Sequence, residues 1–103
     1  MAAATVTSTE YGYMVTGDTG AVTVNAGRMY VKGVAFAGNA DNATCAATNV
    51  IGGTATSCFK FKTNANDLDV GGSSLWFGEK GSPFTGLAVT LSHASDVLYI
   101  YVA

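Results

Sequence analysis

The chain has 103 residues, one domain's worth, with 12% charged residues where about 25% is typical. Apolar residues make up 49%, the net charge is −2, and the mean hydropathy is +0.29. This excludes a separate cofactor domain and intrinsic disorder, which needs low hydrophobicity and high charge. With four lysines and one arginine, it also excludes a nucleic-acid binder that works through bulk charge.

No helix-period stretch exceeds about two turns, and most segments are short, β-branched or aromatic, and bounded by Gly, Asn, Asp or Ser. Thr5 to Thr9 and Tyr11 to Thr16 read as two strands or one bent strand. Gly17-Asp18-Thr19-Gly20 is a turn signal, followed by a short strand from Ala21 to Val24. Arg28 to Ala37 reads as a long central strand, because Met29, Val31, Gly33 and Ala35 on one face and Tyr30, Lys32, Val34 and Phe36 on the other are both largely apolar. Gly38 to Asn42 breaks the chain. Ala43 to Ile51 is open between strand, helical turn and loop.

Gly52-Gly53 opens a strand from Thr54 to Thr63, with Phe59 and Phe61 on one side and Lys60 and Lys62 on the other. Asn64 to Asp67 turns, and Leu68 to Val70 is a short strand. Ser73 to Phe77 sets Trp76 opposite Leu75 and Phe77. A loop at Gly81-Ser82-Pro83 leads to alternating Leu87, Val89 and Leu91. His93-Ala94-Ser95 turns into a strand from Asp96 to Val102, which predicts a C-terminal β-hairpin. Seven or eight short strands with no room for a crossover helix predict an all-β, antiparallel sandwich over residues 1–103. A jelly-roll-like topology is the first choice and an immunoglobulin-like one the second, since the latter wants a tryptophan between two cysteines and Trp76 follows both.

The N-terminus has neither a basic nor an apolar leader region, so synthesis in a cytosol is expected. The longest apolar run, Val97 to Ala103, suits a buried strand and falls far short of a membrane span. Cys45 and Cys58 fit no zinc spacing; free thiols are the first reading, and a disulfide between paired strands the second. Asn42-Ala43-Thr44 matches a glycosylation sequon and is read as chance.

Titratable residues are scarce. Ser92, His93, Ser95 and Asp96 share one turn and are expected to be exposed there, unlike a buried Ser-His-Asp relay. Asp67 and Asp69, beside Asn64 and Asn66, lack the calcium-loop spacing, and Asp18 and Asp41 sit in turn clusters. Glu10 and Glu79 are the only glutamates, and nothing places them as a glycosidase pair. The glycines match neither a dinucleotide fingerprint nor a P-loop. No catalytic residue, metal ligand or cofactor site is assigned, and no enzyme is expected. The aromatics remain. A strand such as Asp96 to Val102 is apolar on both faces, and a small sandwich has one interior. Tyr11, Tyr13, Trp76, Tyr99 and Tyr101 are therefore the candidate interface residues, with a subunit partner as first reading and a sugar platform as rival.

The run from Ala26 to Phe36, Cys58 to Lys62, and Pro83 to Ser92 followed by Asp96 to Val102 resembles small structural proteins of tailed bacteriophages. Those are single β-domain proteins ending in a Thr-Gly-Leu-x-Val-x-Leu-Ser strand and a valine- and tyrosine-rich strand. The resemblance covers residues 26–103 and implies a virion component made in the host cytoplasm. The expectation is a head decoration (cement) protein on the capsid surface. Its partners would be the major capsid protein and further copies of itself, as a trimer, with no nucleic acid or membrane. Residues 1–24 would supply a capsid-gripping arm and the first strands. A tail-associated protein or a fibre module that binds a receptor or glycan is the alternative.

Overall fold

The computed structural model describes residues 3–38, 43–62 and 71–103. Among them the chain is all-β and antiparallel. Its strands are β1 (Thr5–Ser8), β2 (Gly12–Thr16), β3 (Val22–Gly38), β4 (Thr44–Ile51), β5 (Thr54–Lys62), β6 (Gly71–Trp76), β7 (Ser82–Leu91) and β8 (Val97–Val102). They join in one hydrogen-bonded sheet ordered β1-β2-β8-β3-β7-β4-β5, with β6 also on β3. The expected all-β, antiparallel class holds, and the strands belong to a single sheet, without the two separate sheets of a sandwich.

Strand β3 organises the sheet. The two segments predicted from Ala21 to Val24 and from Arg28 to Ala37 are one strand, because bulges between Thr23 and Arg28 absorb the intervening Asn25, Ala26 and Gly27. Its first part pairs with β7, and its second part lies between β8 and β6. A further register shift between Val31 and Gly33 makes Lys32 an extra residue against β8. A bulge moves every later side chain to the opposite face. Met29 and Val31 face the core before it, and Val34 and Phe36 after it. The two apolar faces read from Arg28 to Ala37 are therefore largely one core-facing set that changes phase midway.

The predicted C-terminal hairpin does not form. Strands β7 and β8 lie on opposite edges of β3 and do not pair. The Ser92–Asp96 link arches between them, and Leu87, Val89, Leu91, Leu98 and Ile100 are buried in the same core cluster. The alternation in both strands serves burial, and the pairing partner is β3 in each case. The arch is not wholly exposed either. Asp96 is completely buried and its carboxylate accepts hydrogen bonds from the His93 N–H (3.1 Å) and the Ser92 hydroxyl (3.2 Å). The Ser92 hydroxyl in turn accepts the Thr44 N–H at 2.7 Å, tying the arch to β4.

All five phenylalanines form a chain of ring contacts: Phe36 to Phe61 (6.0 Å), Phe61 to Phe59 (5.8 Å), Phe59 to Phe84 (6.4 Å) and Phe84 to Phe77 (5.5 Å). Phe61 on β5 is three strands from β3 in the ladder, about 14 Å along a flat sheet. Its contact with Phe36 requires the sheet to curl back on itself.

Residues 43–51, open in the sequence, form β4, which pairs with β5 through a two-residue turn. Gly52 and Gly53, with φ of 61° and 83°, supply the paired positive angles that a type I′ turn demands. The expected break at Asn39 to Asn42, the sequon asparagine, Asp41, the Asn64 to Asp67 turn, Asp69 and the Leu68 to Val70 strand lie outside the described residues. Of the stretch expected to hold an arm and the first strands, Thr5–Ser8, Gly12–Thr16 and the start of β3 at Val22 belong to the sheet.

Replacing Asp96 by alanine removes the carboxylate that accepts the His93 N–H and the Ser92 hydroxyl, and a loss of about 1–3 kcal/mol in unfolding free energy is expected. His93→Ala, at an exposed ring, changes stability by less than ~0.5 kcal/mol. Urea titration of the two variants measures the difference.

Candidate functional site

Period-two alternation sends Val15, Leu98, Ile100, Val34 and Phe36 inward, so their neighbours along β2, β8 and β3 point outward together. The registers align them into rows. One runs Gly12, Tyr101, Gly33, Trp76; the next Met14, Tyr99, Ala35, Ser74. A third runs Thr16, Val97, Ala37, Gly72, and Thr5 and Thr7 of β1 extend the last two. None of the residues in these rows is charged; Lys32, the extra residue of the β3 bulge, and Glu10 border the face beside Trp76 and Tyr101.

Two glycines shape it. A Cβ on Gly33 would sit 2.8 Å from the Trp76 ring and 2.9 Å from the Leu75 carbonyl oxygen, so the absence of a side chain lets the indole lie against the sheet. Gly12 is likewise required, since a Cβ there would collide with the Ile100 carbonyl. Trp76 remains 64% exposed and Tyr11 67%, well above the usual burial of such rings. Tyr11 meets Tyr101 edge-on at 6.3 Å. A depression of about 590 Å³ opens between the Thr9 to Tyr11 turn, Lys32, Trp76 and Tyr101, and Glu10 stands at its rim. An adjoining apolar groove of about 380 Å³ shares Trp76 and Tyr101 and adds Gly33, Ala35 and Leu75.

Four of the five residues singled out in the sequence converge here: Tyr11, Trp76, Tyr99 and Tyr101. Tyr13 differs. It pairs with Ile100, packs half-buried against the core, and reaches the depression only from the side. The sequence reading set Tyr11 and Tyr13 in one strand from Tyr11 to Thr16, but Tyr11 lies in the turn before β2 and escapes its alternation. Met14 and the small residues at 33, 35 and 37 were not recognised as part of the face: the pairing of β2 with β8 places Met14, and the bulge at Lys32 places the others.

The Ser92-His93-Asp96 cluster is not a catalytic relay. Ser92 Oγ (2.8 Å) and the Asp96 carboxylate (3.8 Å) approach the same ring nitrogen, Nδ1 of His93. A relay needs the nucleophile on one nitrogen and the carboxylate on the other. Asp18 Oδ1 accepts the N–H of Thr19 at 2.7 Å, a local turn interaction. Among the described residues no three His, Cys, Asp or Glu side chains converge as a metal site.

Both thiols are free. Cys45 lies opposite Phe61, and Cys58 is the extra residue of a bulge in β5, so the ladder does not set them across from one another. Burial, and secondarily the nearby Asp96 and Cys58, push the Cys45 thiol from 9.0 up to about 12. Burial also raises Cys58, against backbone hydrogen bonds that lower it.

The unfolded chain ionises Cys45 above pH 9.0, whereas the folded chain holds that proton to about 12. The unfolded state then binds fewer protons, so stability is unaffected below pH 9 and falls as pH rises through that window. Comparing urea stability at pH 8 and about pH 10.5, wild type should lose on the order of 2 kcal/mol more than Cys45→Ala. The single tryptophan reports separately on the face. Gly33→Ala should lift the Trp76 ring from the sheet, shift its emission to the red and increase acrylamide quenching, whereas an unchanged spectrum would contradict the close approach.

Comparison with protein-family models, with curated proteins and with solved structures finds no match to this chain.

Proposed function

We propose that this chain is a structural protein of a tailed-phage virion, of the head-decoration type, which assembles with itself and docks on capsid subunits. The observation that carries this reading is the outer face of β1, β2, β8, β3 and β6, poor in charge, with Lys32 and Glu10 only at one margin, and lined by Tyr99, Tyr101 and Trp76. Interface cores are depleted of charge and enriched in tyrosine, tryptophan and methionine, which is the composition of this face. The virion assignment rests on the resemblance of residues 26–103 to small phage structural proteins. The mechanism is mechanical. A symmetric oligomer, a trimer, bridges neighbouring capsid subunits, and the added buried area resists the pressure of packaged DNA. No bond is made or broken, so the titratable groups serve only stability and solubility.

A second reading, a receptor- or glycan-binding module of a tail or fibre, is favoured by the depression beside Trp76. Aromatic walls with Glu10 and Lys32 at the rim suit the apolar face and hydroxyls of a sugar ring. Under this reading glycan-array binding is lost in Trp76→Ala, while association with heads is absent.

Co-sedimentation with DNA-filled heads of the phage that encodes the chain separates the two. Decoration predicts saturable binding by an oligomer, weakened at least tenfold, about 1.4 kcal/mol, in Trp76→Ala. A monomer that leaves heads bare would overturn it.

A further inference from the structure

We propose that the tip of the β4–β5 hairpin is an assembly arm whose occupied site is the Trp76 groove of a second copy of this chain. The proposal rests on the reading above that the chain assembles with itself, and it names the contact.

Every residue from Val50 to Ser57 is exposed, on both faces of the hairpin, and none is charged. Ile51 is 59% exposed at the tip, beside Val50. An uncharged hairpin on an outermost strand invites pairing with other chains, and natural proteins normally protect such an edge with charge or proline. This one is instead held ready. The Asn49 side-chain oxygen accepts the Thr85 N–H at 2.7 Å. Gly86, with φ of 61°, leaves room beneath Val50, where a Cβ would meet its methyl at 2.8 Å. The Gly52-Gly53 turn closes the tip. An arm fixed before docking loses little entropy on docking.

The groove matches it. Gly33, Ala35, Leu75, Trp76 and Tyr101 line an apolar trough of about 380 Å³ that suits aliphatic side chains. Arm tip and groove are the two places where large apolar side chains cluster at the surface of the described residues. Both are open in the single chain, so an arm does not reach its own groove. Area points the same way. Five strands by three rows make a face about 20 Å by 14 Å, or roughly 300 Å², against about 800 Å² per partner in a standard interface. The face needs a second contributor, and the arm is the uncharged one. Arm and groove are different patches, so the contact is head-to-tail. Closing it into a ring, such as the trimer, satisfies every site.

The test is complementation by analytical ultracentrifugation. Ile51→Asp spoils the arm but keeps the groove, and Trp76→Ala spoils the groove but keeps the arm; both side chains are exposed, so both variants fold. Each alone should associate about thirtyfold more weakly than wild type. A one-to-one mixture should recover a dimer, because one intact arm and one intact groove remain. Failure of the mixture to form that dimer overturns the proposal. If Ile51→Asp associates like wild type while Trp76→Ala does not, the arm is excluded and self-assembly through the face stands. If wild type itself is a monomer, both readings fall.

Discussion

The structure depends on one interaction, the ring contact between Phe36 and Phe61 and the chain of phenylalanines that continues from it. A sheet ordered β1-β2-β8-β3-β7-β4-β5 could lie open, with one side wet. Curling brings β5 over the second half of β3 and gives Leu91, Leu98 and Ile100 a common interior. Phenylalanine is suited to this work because its wide ring reaches neighbours across gaps that a valine would leave open. The arch at Ser92 to Asp96 follows from the same strand order. β3 lies between β7 and β8 in the ladder, so the turn passes from one side of β3 to the other, and its polar groups need an internal acceptor. Asp96 is that acceptor.

Closure alone would not produce the outer face. That comes from one extra residue. Without Lys32 in β3, the alternation beginning at Met29 and Val31 would send Gly33, Ala35 and Ala37 inward and leave Val34 and Phe36 outside. The shift gives the core its larger side chains and gives the surface a flat strip of small ones. On that strip Tyr99, Tyr101 and Trp76 lie low instead of standing away from the sheet. Gly33 has a part in both outcomes, since it follows the bulge and makes room for the indole. The packing that stabilises the chain and the surface offered to a partner are thus set at the same point of β3.

How much of this the sequence reveals follows from the range of each signal. Phe59 and Phe61 against Lys60 and Lys62, and Leu87, Val89 and Leu91 against their neighbours, declare strands and buried faces correctly, because side-chain alternation is local. The Gly52-Gly53 turn is local too. The hairpin expected at His93 fails because a turn between alternating strands has the same local appearance whether they pair or arch. The β3 bulge is hidden because glycine and alanine at 33 and 35 are compatible with either face. Tyr11, Trp76, Tyr99 and Tyr101 stand out by residue type alone. Their meeting on one surface depends on the pairing of β2, β8, β3 and β6, which only the folded sheet defines.

The scarcity of charge takes on a specific meaning once the charges are placed. Lys60 and Lys62 sit on the outward side of β5, at the end of the hairpin next to the body. Arg28 lies over the Tyr30 ring on the first half of β3, at 5.8 Å. Glu79 and Lys80 occupy the loop between β6 and β7. Lysines on an outermost strand discourage open-ended pairing with other chains. Here they guard the base of the hairpin and stop short of its tip. Glu10 and Lys32 stand at one margin of the aromatic face, beside Tyr11, Trp76 and Tyr101, and the tip of the hairpin carries no charge at all. A chain that was merely poor in charge would show no such spacing. Distribution, more than the low total, marks this surface as one built to meet another.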